Sequence, residues 1–290
     1  MSALPGPMTP TQTLTFPSTG GITLYGEWFA PASPRALAIV VHGYAEHCGR
    51  YREVAHALVK AGIAVFTFDQ RGHGKATGKR GHVDRFTEYL DDLDRAIAKA
   101  RELGGDQLPR VLVGHSNGSL ISLRALSDPA RRPDVKCAVV SSPFLALKLK
   151  VPAVKKIAAK VLSRIVPTLA LANELRVEDL THDTQKQDER KVDTLCHGVA
   201  TARWFTEAGA AQEYVYEHAS SISVPTIWLV AGDDPIADPA RSGVVHKRLR
   251  APVTYHELAG FRHEVFNEIE RGRAFDLMTA FVTNELKLAA

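Results

Sequence analysis

Cysteine is scarce in this chain of 290 residues: three, Cys48, Cys137 and Cys196, an odd number at wide and unpatterned spacings. They offer no disulfide framework and no CxxC metal site, which fits a reducing compartment. Long apolar runs are missing too. No stretch approaches the roughly 18 apolar residues needed to span a bilayer, and the opening residues hold no apolar core of signal-peptide length. The expectation is a soluble, cytoplasmic protein. Blocks of like charge are absent and the net charge of +4 is slight, so charge gives no argument for nucleic acid. Internal repeats and low-complexity tracts are lacking as well. What remains is ordinary: 45% hydrophobic and 23% charged residues, in a chain long enough to bury a core without disulfides or metals.

The pattern along the chain is more specific. Two strand-like segments, 11–16 and 22–29, flank Ser18-Thr19-Gly20-Gly21 and read as a hairpin. Short, continuous apolar runs follow at 36–41, 63–68, 110–113, 137–140, 226–230 and 253–258. Runs of this kind suit strands buried on both faces of a parallel sheet. Helical patterns lie between or after them at 51–61, 87–103, 120–127 and 272–288. The alternation predicts a doubly wound α/β sheet. From 144 to 219 no buried strand is evident, and the segment is too long for a simple loop. It predicts a helical cap inserted into a core made of 1–143 and 220–290.

Gly114-His115-Ser116-Asn117-Gly118 carries the clearest chemistry. It follows the apolar run Val111-Leu112-Val113 and precedes a helix-forming stretch, the strand–turn–helix setting that a G-x-S-x-G nucleophile elbow requires. A serine hydroxyl needs a base to take its proton. Among twelve histidines, His263 stands just after the last predicted strand, where Gly260 lets the chain turn, and is the expected base. His115, on the sharp turn beside the nucleophile, is expected to point away. The third member is sought after the preceding strand, in Gly232-Asp233-Asp234-Pro235-Ile236-Ala237-Asp238. Asp234 is favoured because Ile236 can pack back and fix the loop; Asp233 is the close alternative and Asp238 the outsider. The order Ser, Asp, His is that of α/β-hydrolases. Acyl transfer also needs donors aimed at the developing oxyanion. The backbone N–H of Asn117 and that of Tyr44, next to Gly43, are assigned this task.

Two other readings fail on spacing. Gly72-His73-Gly74-Lys75-Ala76-Thr77-Gly78-Lys79 follows a strand but matches neither dinucleotide nor P-loop spacing. His263-Glu264 has Asn267 where a zinc helix would need histidine. No cofactor and no metal are expected.

With these residues in place, the chain resembles the monoacylglycerol lipase and lysophospholipase-like branch of the α/β-hydrolases, from about Thr11 to Val282. His42-Gly43-Tyr44-Ala45-Glu46-His47-Cys48-Gly49-Arg50-Tyr51 looks like that branch's HG-x-x-EH-x-x-RY oxyanion loop. Phe68 to Gly74, with Gly78-Lys79-Arg80-Gly81, is similar to its D-x-RGHG-x-S-x-G-x-RG segment. The resemblance implies an eight-stranded, mostly parallel sheet and hydrolysis of a lipid-like ester through an acyl-enzyme, with the cap forming an apolar acyl tunnel. Aligning the D-P-I-x-D turn favours Asp234. The chain departs from the family at Asn117 and Ser119, where Met or Gln and a glycine are usual, so a changed pocket floor is expected. A short-chain esterase or amidase of the same fold, and a non-catalytic binding protein, are the alternatives.

The cap has its own pattern. Lys148, Lys150, Lys155, Lys156, Lys160 and Arg164 alternate with Leu147, Leu149, Val151, Val154, Ile157, Val161, Leu162 and Ile165. Two readings stand open: an apolar face edged with cations for an anionic membrane surface, or a helix packed on the core with solvating lysines. Trp204-Phe205 and Tyr214-Val215-Tyr216 either line a pocket or pack the cap. Oligomeric state is not indicated.

Overall fold

The computed structural model describes residues 4, 6–149 and 151–288, with main chain only at 153, 155 and 156. Lys150 and the side chains of Lys155 and Lys156 thus lie outside the described residues. Among those described, no helix is long and apolar enough to cross a membrane.

The strands are β1 Gln12–Pro17, β2 Thr23–Phe29, β3 Ala36–Val41, β4 Ile63–Asp69, β5 Arg110–His115, β6 Cys137–Ser141, β7 Ala170–Ala172, β8 Val199–Thr201, β9 Thr226–Ala231 and β10 Val253–Leu258. The α-helices are α1 Arg52–Lys60, α2 Thr87–Gly104, α3 Asn117–Leu126, α4 Ala153–Ile165, α5 Thr184–Val192, α6 Ala202–His218, α7 Pro239–Val245 and α8 Arg271–Glu285. Eight strands form one sheet in the order β1-β2-β4-β3-β5-β6-β9-β10. Pairing is antiparallel from β1 to β2 and from β2 to β4, and parallel across the rest.

The continuous apolar runs are explained by burial on both faces. In β3 every residue is buried. Leu37, Ile39 and Val41 join the hydrophobic cluster under α2, α3 and α6, whereas Ala36, Ala38 and Val40 join the one under α1 and α8. Successive residues of a strand point to opposite faces, so each face needs its own apolar set. Because the central strands run parallel, the loops after β3, β5, β9 and β10 gather at one edge, where α/β sheets place their sites.

β6 and β9 are neighbours in the sheet, with Ala138 opposite Thr226, yet the chain between them makes α4, β7, α5, β8 and α6 before returning. The buried Ala208, Ala211 and Val215 of α6 tie this insertion into the core. It is not wholly helical: β7 and β8 form a ribbon pairing Ala170 with Thr201. The open question about α4 is resolved in favour of exposure. Val154, Ile157, Val161 and Ile165 are 71%, 62%, 46% and 72% exposed, so this apolar stripe does not pack on the core. It is instead Ala158, Ala159 and Leu162 that face the interior cavity.

Candidate active site

The turn from β5 to α3 holds Ser116 in a strained conformation, φ 52° and ψ −115°, in a left-handed region that non-glycine residues seldom occupy. The flanking glycines are sterically required. A Cβ on Gly114 would meet the Gly118 carbonyl oxygen at 2.7 Å, and one on Gly118 would meet that of Val41 at 2.0 Å. The turn therefore passes tight against β3 and lifts the serine toward the loops above the sheet.

Three side chains from separate loops meet there. His263 Nε2 lies 2.8 Å from Ser116 Oγ, and His263 Nδ1 lies 2.7 Å from Asp234 Oδ2. All three residues are buried. The other carboxylate oxygen of Asp234 accepts the amides of Ile236 (2.8 Å) and Ala237 (3.0 Å), so the backbone of its own loop fixes the acid. Asp233 is exposed, and Asp238 caps α7 by accepting the Ala240 amide. Of the three candidate acids, only Asp234 reaches the ring. Burial works against a charged imidazole, but the Asp234 carboxylate, by charge and by hydrogen bond, outweighs it and holds His263 above the ordinary histidine range; Glu264 and Glu46 add to the effect.

Asn117 is the first residue of α3, a position whose amide has no intrahelical acceptor. The loop after β3 brings Tyr44 to the same place. A Cβ on Gly43 would stand 3.4 Å from the Ser116 Cβ, so glycine permits the close backbone approach. The loop is then fixed from several sides. Glu46 accepts the Gly43 amide at 2.6 Å and the Tyr51 hydroxyl at 2.6 Å. Tyr44 Oη donates toward the carbonyls of Gly81 and Val199, which gives the glycine-rich segment after β4 a scaffolding role.

Arg50, unassigned by sequence reasoning, joins two of these loops. It donates to Glu46 at 2.7 Å and, through two nitrogens, to Glu264 at 2.6 and 2.8 Å. Burial would lift both acids, but Arg50 holds Glu46 down at about 2 and Glu264 well below the carboxylate range. Their presence in the HG-x-x-EH-x-x-RY motif and beside His263 was the available signal.

Several expectations require correction. His115 does not point away: its ring centre lies 5.0 Å from that of His263 and it lines the same cavity. Its Nδ1 pairs with Ser141 Oγ, and burial, helped by the neighbouring His263, lowers it to about 4. Asn117 and Ser119 do not form the pocket floor. The Ser119 hydroxyl donates to the Gly114 carbonyl and holds β6, while the Asn117 amide packs toward Gln70. Trp204 and Phe205 line the cavity, whereas Tyr214 and Tyr216 sit under the guanidinium groups of Arg124, Arg241 and Arg248.

Ser116 and His263 open into a cavity of about 470 Å³, walled by apolar side chains including Phe144, Leu147, Leu162, Leu175, Trp204 and Ile236. Away from it, His47, Asp193 and Cys196 bring metal-ligand atom types within 4.8 Å of one another. The Gly49 amide donates to His47 Nδ1, so Nε2 carries the hydrogen that points at Asp193, 2.7 Å away. That arrangement is a hydrogen bond between loop and insertion, not a free ligand set.

The model of the family described as serine aminopeptidase, S33, matches residues 32–270. The chain is 31% identical to the phospholipase YtpA of Bacillus subtilis over 255 residues, 86% of this chain and 95% of that one. It is 29% identical to a monoacylglycerol lipase of Mycolicibacterium smegmatis over 281 residues, 94% of this chain and 97% of the other. The crystal structure of Paleococcus ferrophilus monoacylglycerol lipase superposes with a TM-score of 0.82 at 31% identity, covering 90% of this chain and 99% of that chain. On this sheet order, on a family match spanning most of the sequence and on relatives alike along nearly their whole length, the chain belongs to the serine aminopeptidase S33 family of α/β-hydrolases and is similar within it to monoacylglycerol lipases and phospholipases.

Proposed function

We propose that this enzyme hydrolyses the carboxylic ester of a lipid-like substrate, a monoacylglycerol or lysophospholipid, with Ser116 as nucleophile, His263 as base and Asp234 as the orienting acid. The observation that carries the reading is the hydrogen-bonded run Asp234–His263–Ser116 ending in a cavity walled by apolar side chains. Ser116 Oγ attacks the ester carbonyl carbon as its proton passes to His263 Nε2. The tetrahedral oxyanion is received by the amides of Tyr44 and Asn117. The bond to the alcohol then breaks, and the imidazolium gives its proton to the leaving oxygen. Water enters, loses a proton to His263 and attacks the acyl-enzyme, freeing the fatty acid and Ser116.

In this reading residues 144–219 are a cap on a core of 1–143 and 220–290, and the cavity beneath it takes the acyl chain. The exposed stripe of α4 is the contact with a membrane surface. Val154, Ile157, Val161 and Ile165 fall within roughly a quarter of the helix circumference, and the exposed Lys160 and Arg164 of the same helix supply cations near it. Three free cysteines fit a cytoplasmic setting.

The test is hydrolysis of p-nitrophenyl esters of increasing chain length and of monoacylglycerol by wild type and Ser116→Ala. Cleavage by wild type alone, rising toward medium or long acyl chains, is the expected result. Activity confined to acetate and butyrate would replace the lipid reading with a short-chain esterase. Turnover surviving in Ser116→Ala would remove the nucleophile.

A further inference from the structure

Two residues lining the cavity carry a buried side-chain nitrogen without a hydrogen-bond acceptor, Trp204 and Asn173; Trp204 Nε1 faces the buried Tyr89 hydroxyl, whereas Nδ2 of Asn173 lies beside apolar neighbours. The orientation of this amide is not arbitrary. The Leu175 N–H donates to the other atom at 3.1 Å, and since an amide N–H can only donate, that atom must be the carbonyl oxygen. The nitrogen is thus the atom left over. An unmet buried donor is costly, and native proteins keep few of them.

The polar surroundings do not supply the missing acceptor. Glu46 is occupied by the Gly43 amide, the Tyr51 hydroxyl and Arg50. Glu264 is occupied by Arg50 and Asn267. Arg190, which also lines the cavity, donates to the Ala45 carbonyl and to Cys196 Sγ. Asn173 belongs to the same corner. Its own N–H donates to Gly198 at 2.9 Å, and the adjoining His197 N–H reaches the Ala45 carbonyl that Arg190 holds. This corner is where the segment between β6 and β9 meets the loop after β3, the loop whose Gly43 closes on Ser116, and most of the other lining side chains are apolar.

We infer that Asn173 is a specificity-determining residue: its Nδ2–H donates to a free hydroxyl oxygen on the leaving alcohol, so that the enzyme prefers esters of a polyol over esters of a simple alcohol with the same acyl chain. The inference rests on the ester-hydrolase reading above. An apolar wall tolerates an added hydroxyl with little discrimination, but a buried donor built to meet one loses a partner when the hydroxyl is absent.

The experiment compares kcat/KM for 1-octanoylglycerol and methyl octanoate in wild type, Asn173→Asp and Asn173→Leu. Asn173→Asp keeps an oxygen for the Leu175 amide while removing the donor, so it guards against a folding effect. Wild type is expected to favour the glycerol ester. Both variants should lose about tenfold on it, the size of one hydrogen bond, and stay within about twofold on the methyl ester. Equal losses on the two esters would make Asn173 a structural residue and overturn the inference, as would variants that keep the wild-type ratio. A wild type that cleaves both esters equally well overturns the inference but leaves the hydrolase reading standing. A wild type that cleaves neither removes both.

Discussion

Tyr44 lies face to face with Trp204, ring centroids 3.7 Å apart and planes 25° from parallel. One ring belongs to the loop after β3 and the other to the first turn of α6, so the insertion presses directly on the residue whose amide is assigned to the oxyanion. Trp204 is itself stacked against Phe144, and its indole nitrogen faces the buried Tyr89 hydroxyl.

Trp204→Phe forfeits ring area and the contact with the Tyr89 hydroxyl but keeps an aromatic face for Tyr44, and should keep kcat within a few-fold of wild type. Trp204→Ala leaves a cavity and a loose Tyr44. Aromatic-to-alanine changes in cores cost about 3–5 kcal/mol, so a clear fall in Tm is expected. If the stack also positions the Tyr44 amide, kcat should fall at least about tenfold on every ester, since one oxyanion donor is worth at least that much. Unchanged kcat in a folded Trp204→Ala would confine the contact to packing.

The pH profile follows from the pairing of His263 with Asp234. With His263 as the proposed base, the neutral imidazole is the active form and the charged form is favoured, so kcat/KM should rise with pH through an ionisation above the ordinary value of about 6.5. Glu264→Gln removes a negative charge that favours the imidazolium. The inflection should then move down, by up to about one pH unit. Asp234→Asn should cost roughly three to four powers of ten in kcat, because the ring loses its orienting acceptor. A Glu264→Gln profile that superposes on wild type would show that this carboxylate acts through Arg50 alone.

How much of this was legible in the sequence depends on the kind of signal. The runs 36–41 and 253–258 coincide with β3 and β10, since apolar continuity and turn residues mark strand ends locally. The helix after Ser116 begins at Asn117, not Leu120; Gly118 and Ser119 are weak helix formers, and the tight packing against β3 overrides them. α7 is only seven residues long, too short to display a helical period. Periodicity found the apolar stripe of α4 but could not say which way it faced. The bridge from Arg50 to Glu264 spans 214 positions, and no local pattern announces a contact of that range.

Acid stability should be set by histidines kept neutral. Burial lowers His115 and His197 to about 4, and His73 and His42 are lowered as well. The unfolded chain takes up these protons near 6.5. Between about 6.5 and 4 the unfolded state therefore binds more protons, and stability falls as pH falls through that window. The depressed carboxylate of Glu46, at about 2, extends the loss below the usual glutamate range. Tm measured from pH 7 to pH 4 should decline steadily, and His197→Gln should decline less steeply by the share of one proton. A variant slope equal to wild type would show that His197 titrates alike in both states.

The stripe on α4 gives the last prediction. Ile157 and Val161 face outward, 62% and 46% exposed, and neither lines the cavity, unlike Ala158 and Leu162 one residue further along the helix. Replacing either with aspartate thus leaves the cavity wall intact. If the stripe enters the headgroup region, an aspartate there opposes burial of apolar surface. It also adds a negative charge among lysines. Co-sedimentation with phosphatidylcholine–phosphatidylglycerol vesicles should fall about tenfold or more for Ile157→Asp, while hydrolysis of a dissolved p-nitrophenyl ester stays at the wild-type rate. Lys160→Glu should weaken binding to anionic vesicles and leave binding to pure phosphatidylcholine nearly unchanged, because only the electrostatic part depends on lipid charge. Wild type and variants pelleting alike on both vesicle types would mean that the stripe faces something other than a membrane.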